Sequence, residues 1–160
     1  MRITGAQWLG LVGFLAACYL VAGIGSIFTA PAIKGWYRGL HKPSFNPPNW
    51  VFGPVWGLLY FMMALAAWMV WQRVGLGHGA WPLWLFTGQL VLNLLWSFIF
   101  FGLRRPGWAM AEIVLLWLAI GATAIAFWQV WQAAGWLMAP YWGWVTFAAV
   151  LNFAIWRLNP

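Results

Sequence analysis

The sequence predicts an all-α protein, a bundle of five transmembrane helices. Charged residues make up 6% of the chain and hydrophobic ones 65%, whereas ordinary soluble domains carry about 25% charged residues. Five apolar stretches each reach the ~20 residues that a helix rising about 1.5 Å per residue needs to cross hydrocarbon. The links after the second, third and fourth stretches are short, which makes successive helices antiparallel neighbours. Residues 1–160 are read as one membrane domain, with no internal repeat.

The first span is read at residues 7–28. Arg2 followed by an apolar run has a signal-like look, but the run is longer than a usual signal core and is read as a retained helix. The stretch Trp36 to Tyr60 organises the chain. It holds Pro43, Pro47, Pro48 and Pro54, a density that forbids a continuous helix because each proline lacks an N–H and clashes with the preceding turn. Residues 36–45 are therefore expected as an ordered loop with a short helical turn at 36–40. Asn46 is read as an N-cap with Pro47 at the first helical position, opening a second span at 48–71. Pro54 is expected to bend this helix near its start and to open an aromatic-lined space beside Trp50, Phe52, Trp56 and Tyr60. The remaining spans are read at 81–102, 108–131 and 136–156.

In the third span Gln89, Asn93, Trp96, Ser97 and Phe100 share one helix face. Amides are costly in hydrocarbon, so this face should point inward, either for interhelical hydrogen bonds or as a polar contact for a ligand. Tyr141, Trp144, Ala148 and Asn152 form a comparable stripe on the fifth span. Of seventeen tryptophans, Trp8, Trp71, Trp81, Trp108, Trp131, Trp136 and Trp156 fall near helix ends and suit an interfacial belt. Trp56, Trp96, Trp117 and Trp144 lie deeper, where an indole N–H needs an acceptor. The small pairs Gly13/Ala17, Ala22/Ser26 and Ala122/Ala126 suit either close helix packing or a dimer face.

Several chemistries are excluded. Glu112 is the only carboxylate side chain, so no carboxylate pair, Ser-His-Asp triad or acidic metal cluster can form. An ion pair of Glu112 with the Arg104–Arg105 end is expected, the alternative being a proton relay. His41 and His78 are in different loops and no metal site is expected. Cys18 stands alone and reads as a packing residue. The net charge of +7 rests on too few and too scattered residues for a nucleic-acid surface. Lys34, Arg38, Lys42, Arg104, Arg105 and Arg157 fall on one side, Arg2 and Arg73 on the other. This places the long loop and C-terminus in the cytoplasm and the N-terminus outside.

The patterns WYxxLxKPxFxPPxxxFxxxWxxLY at 36–60, QLxxNxxWSxxFFG at 89–102 and PYxxWxxxAxxLNxxxxRLN at 140–159 resemble the translocator protein/tryptophan-rich sensory protein family (TspO/MBR). The likeness runs from about Pro31 to Asn159 in order and at the family's spacing. It implies a bacterial membrane protein, often a homodimer. It also implies a pocket closed by the first loop that takes porphyrins, sterols and isoquinoline carboxamide or benzodiazepine-type ligands, with no required cofactor. Family pocket positions match Trp36, Tyr37, Trp56, Asn93, Trp144 and Ala148. With the residues read above, the candidate ligand-binding set is Trp36, Tyr37, Leu40, Phe52, Trp56, Tyr60, Asn93, Ser97, Trp144 and Ala148. The implied role is tetrapyrrole transport or stress signalling. The alternative is light- and oxygen-dependent porphyrin degradation, with Trp56 or Trp144 as redox-active candidates. Phe45 stands where the family often has Trp, and Phe153 where its sterol pattern has Tyr, which ranks porphyrin above sterol.

Overall fold

A computed structural model describes residues 4–159. The described chain is five long helices: α1 (Gly5–Lys34), α2 (Asn49–Val74), α3 (Trp81–Ser97), α4 (Pro106–Val130) and α5 (Gln132–Leu158). All five are long and apolar enough to cross a membrane, α3 together with the π-turn Phe98–Gly102 that continues it. This is an integral membrane bundle.

α1 begins earlier and ends later than the apolar run suggested. Thr4 caps it: its Oγ1 accepts from the Gln7 N–H while the Gln7 side chain accepts from the Thr4 N–H, a reciprocal capping box. Pro31 sits within the last turn of α1, where a missing N–H removes one bond without ending the helix. The Asn46 cap is not found. α2 starts at Asn49, with Pro48 in the capping position. Pro48 is itself extended (ψ 143°), and Pro47 before it is biased away from the α region, so the helix opens only after both. The expected short turn forms as a 3₁₀ helix, Trp36–Gly39. α2 continues through Pro54.

α2 lies at the centre. Met63, Ala64, Ala66, Ala67 and Val70 are fully buried in one core cluster with Ile113, Leu116 and Ile120 of α4 and Met138, Tyr141 and Val145 of α5. α1 is peripheral: only Cys18, Gly25 and Ala32 are buried along its length. It is pinned to α2 by the Trp68 indole donating to the Gln7 carbonyl (2.8 Å) and the Tyr19 hydroxyl donating to the Gly57 carbonyl (3.0 Å). Trp71 lies over Gly10, and its ring leaves no room for an added Cβ there. A single extended residue, Trp131, joins α4 to α5.

The long loop and the C-terminus are at the same end. Asn159 accepts from the His41 N–H (3.0 Å) and its Nδ2 donates to the His41 carbonyl (2.9 Å). That end carries Lys34, Arg38, Lys42, Arg104, Arg105 and Arg157. Arg73 is at the other, its guanidinium 4.1 Å from the Trp131 ring centre; Arg2 lies outside the described residues. Trp8, Trp81, Trp108, Trp136 and Trp156 are exposed near helix ends, as a belt requires. Trp71 and Trp131 instead pack on neighbours. Among the small pairs, a Cβ added at Gly13 would meet no described residue within 4 Å, so close helix packing does not require glycine there.

The expected ion pair of Glu112 is absent among the described residues. Glu112 is buried and neither carboxylate oxygen has a hydrogen-bond partner, while Arg104 and Arg105 are exposed. The reason is local. α3 ends through the π-turn into Arg104, which holds the left-handed region at φ 57°, and Arg105 closes back on the Ile99 carbonyl (3.2 Å). The turn carries both guanidinium groups outward. Glycine is usual at such a helix end, and a side chain there costs about 1–2 kcal/mol.

A cavity beneath the first loop

α1, α2, α3 and α5 enclose a cavity of about 280 Å³ directly under the first loop. The loop is held over it by its own bonds. Tyr37 is 3% exposed, and its hydroxyl donates to Asn46 Oδ1 (2.8 Å). The Lys42 ammonium lies 5.0 Å from the Tyr37 ring centre and donates to the Arg38 and Leu40 carbonyls (3.2 and 3.0 Å). Burial pushes the Tyr37 hydroxyl up to about 12, so it stays a neutral donor to Asn46 across physiological pH. Asn46, expected as a helix cap, is thus the latch of the loop.

Of the candidate set, Tyr37, Phe52, Trp56, Tyr60, Asn93, Ser97, Trp144 and Ala148 line the cavity. Trp36 and Leu40 do not, and neither does Trp50, which is exposed. Trp36 sits edge-on to Phe100 at 5.8 Å, and both pack around Tyr37 as support for the loop. Phe52 stands edge-on to Trp144 (6.1 Å), and Trp56 faces Tyr60 (5.7 Å) and Tyr141 (6.2 Å). The π-turn aims Phe100 and Phe101 into the same space, consistent with the frequent use of such turns at functional sites.

The polar face of α3 is buried as its spacing predicts, and its first use is interhelical. Tyr60 donates to Asn93 Oδ1 (2.6 Å), Asn93 Nδ2 to the Tyr141 hydroxyl (2.9 Å), and Tyr141 to Gln89 Oε1 (2.9 Å). This chain ties α2, α3 and α5 together at one level. One turn of α3 further on, the Trp96 indole donates to Asn152 Oδ1 (3.1 Å), and Asn152 Nδ2 donates to the Pro106 carbonyl (2.8 Å). Trp117 is outside the site: its N–H donates to Thr146 Oγ1 (2.8 Å) and its ring packs on Trp142 (5.1 Å). Trp56 and Trp144 line the cavity with indole N–H groups that bond no described residue.

One wall went unread in the sequence. Ala22, Gly25, Ser26, Thr29, Ala30 and Ile33 of α1 form it, with Asn49 and Gly53 opposite. Ala22 and Ser26 carry the spacing of a packing pair, and that spacing here hollows a wall rather than admitting a helix. Ser26, Ala30, Asn49 and Gly53 are also exposed, so the mouth lies between the loop ends of α1 and α2.

Comparison with known proteins agrees with this architecture. The model of the TspO/MBR family matches residues 14–157. The human translocator protein is 43% identical over 154 residues, covering 95% of this chain and 91% of its own. The tryptophan-rich protein TspO of Archaeoglobus fulgidus is 40% identical over 151 residues, covering 94% and 97%. The tryptophan-rich sensory protein of Cereibacter sphaeroides is 42% identical over 153 residues, covering 96% and 93%. With five spans in the same order as the sequence patterns and matches across nearly its whole length, the chain belongs to the TspO/MBR family of translocator and tryptophan-rich sensory proteins.

Proposed function

We propose that the cavity binds porphyrins and related flat apolar ligands, and that the protein serves tetrapyrrole transport or stress signalling. The observation that carries this is the wall itself: the Trp56 and Trp144 indoles, with free N–H groups, beside Phe52, Trp96 and Phe100 in a cavity within the membrane span. Flat π-systems stack on such faces, and an indole N–H can meet a carbonyl or ring nitrogen. A volume of about 280 Å³ is just below the ~300–1,000 Å³ of pockets that bury a drug-sized ligand. An isoquinoline-sized ligand fits inside, while a tetrapyrrole enters edge-first with part of the ring in the mouth. Lys42 is engaged with the loop, so exposed Lys34, just past Ile33, and Arg38 are the cations left for propionates.

A second reading is photochemical degradation of the bound porphyrin. The observation favouring it is Trp56 in ring contact with Tyr60 and Tyr141, both hydrogen-bonded to Asn93, an arrangement suited to Trp56 giving an electron to an excited ligand and sharing the resulting hole with the tyrosines. One paired assay separates the readings: protoporphyrin quenching titrations and illuminated turnover on Trp56→Phe and Trp56→Leu. For binding alone, Phe keeps most of the porphyrin affinity, Leu loses several-fold, and neither variant nor parent consumes porphyrin in the light. For photochemistry, both variants lose light-dependent turnover even where binding survives. Variants that bind and turn over like the parent remove Trp56 from the site.

We further propose that the loop end faces the cytoplasm, from its six basic residues. Cysteines placed at Gly39 and Gly79, exposed positions in loops at opposite ends, should label from opposite sides of the membrane, Gly39 from inside. Cys18 is buried and adds little background. Labelling of Gly39 from outside reverses the orientation.

A further inference from the structure

A second concavity, of about 520 Å³, lies at the loop end between the α3–α4 turn and the last turn of α5. It shares no residue with the cavity under the loop. Arg104, Arg105, Trp108, Trp156 and Asn159 line it. Its positive charge is uncompensated by side chains: Glu112, the chain's one acidic residue, is buried and bonds to neither arginine. α4 begins in the groove with Pro106 and Gly107, and no side chain caps it, so its free N–H groups and dipole add to the positive potential. Arg104 holds a left-handed conformation that glycine would adopt more readily.

The groove's other walls are apolar and interfacial. Trp108 is 73% exposed and Trp156 42%. Gly107 lets Trp156 close onto α4, since a Cβ there would stand 2.9 Å from the indole Nε1, and that N–H donates to no described residue. From lining Ala111, exposed Leu115 and Leu118 continue along one face of α4 into the hydrocarbon region. A cationic pocket at the headgroup level that opens onto an apolar helix face matches an amphiphile with an anionic head.

We propose that this groove binds the headgroup phosphate of an anionic phospholipid. Arg104 and Arg105 meet the phosphate, the two indoles flank the glycerol region, and an acyl chain runs along α4. A soluble phosphate would leave the apolar face unused. A zwitterionic lipid would bring a second cation beside the arginines.

The test is native mass spectrometry of the delipidated full chain, titrated with phosphatidylglycerol or with phosphatidylcholine of the same acyl chains. The parent should bind phosphatidylglycerol more tightly. A basic residue near an anionic surface is worth ~1 kcal/mol, about fivefold in affinity. Arg104→Gly, which relieves the backbone and so folds, should therefore lower phosphatidylglycerol affinity about fivefold, and so should Arg105→Gln. Arg38→Gln removes the same charge from the loop at the same end and should change it less than twofold. Three results overturn the proposal: no lipid preference in the parent, an equal loss in Arg38→Gln, which would mean a diffuse surface field, or competition by millimolar glycerol 3-phosphate, which would make it a soluble-phosphate site.

Discussion

Asn93→Leu should destabilise the bundle by about 1–3 kcal/mol, from two interhelical bonds each worth ~0.6 and at most ~1.7 kcal/mol in a membrane. Sequence spacing places this amide on a polar stripe and leaves open whether it serves a ligand or the helices. In the structure it accepts from Tyr60 and donates to Tyr141. Its loss leaves the Tyr60 hydroxyl without its acceptor and removes one of two partners from a Tyr141 ring that is fully buried. Any loss of ligand affinity in this variant must then be separated from loss of the wall itself. Ser97→Ala is the control. Ser97 lines the same cavity, but its hydroxyl reaches only the Asn93 carbonyl within α3, at 3.4 Å, so it should cost under about 0.5 kcal/mol. Unfolding in mixed micelles, with Tyr60→Phe and Tyr141→Phe completing double-mutant cycles, checks both. An Asn93→Leu protein as stable as the parent would show that the hydrogen-bond chain contributes nothing to stability.

Gly135→Ala should lower stability by about 2 kcal/mol, although alanine is the better helix former by ~1 kcal/mol. Gly135 is one turn into α5, just past the one-residue reversal at Trp131. A Cβ there would stand 2.8 Å from Trp128 Cβ and 2.9 Å from its Cα. The obstacle is backbone of the neighbouring helix, which cannot swing aside, and overpacking of that kind costs ~1–3 kcal/mol. Gly143→Ala on the same helix meets nothing within 4 Å and should stabilise by up to ~1 kcal/mol. Opposite signs for one substitution on one helix separate packing from propensity. Equal signs would place the α4–α5 contact elsewhere.

Much of this architecture was legible in the sequence because bilayer thickness is a strict ruler. Five apolar stretches of sufficient length can do little else, and the inward faces of α3 and α5 follow from the cost of amides in hydrocarbon. Helix ends were less legible for particular reasons. Thr4 and Gln7 spell a capping box that hydropathy does not register, and Pro31 looks like a terminus although the last turn of a helix tolerates it. Asn46 followed by proline imitates a cap, but the second proline delays the helix and frees the amide to hold Tyr37. The π-turn after Ser97 leaves no mark in the run from Phe98 to Gly102.

The site was half legible for a related reason. Large aromatics announce a wall, so Phe52, Trp56, Tyr60 and Trp144 stand out. Small residues announce only proximity. Ala22 and Ser26 carry the same spacing whether a helix packs on them or a cavity lies against them, and only the placement of α2 and α3 decides. Trp36 and Leu40 carry the signature of the loop without entering the cavity, since Tyr37 between them takes the inward position. Glu112 was misread because sequence distance to Arg104 and Arg105 says nothing of the left-handed turn that points them outward.

On the proposed function, ligand binds in the cavity under the first loop. Ala148 lines it from α5, half-buried beside Trp144, and Ala148→Trp would fill much of about 280 Å³ while leaving every other lining side chain in place. The decisive measurement is a protoporphyrin titration of parent and Ala148→Trp, read by tryptophan quenching, with melting in detergent to confirm that both are folded. Binding by the parent and a loss of at least tenfold in the folded variant is the predicted result. A folded Ala148→Trp protein that binds protoporphyrin as tightly as the parent would contradict it and place the ligand outside this cavity.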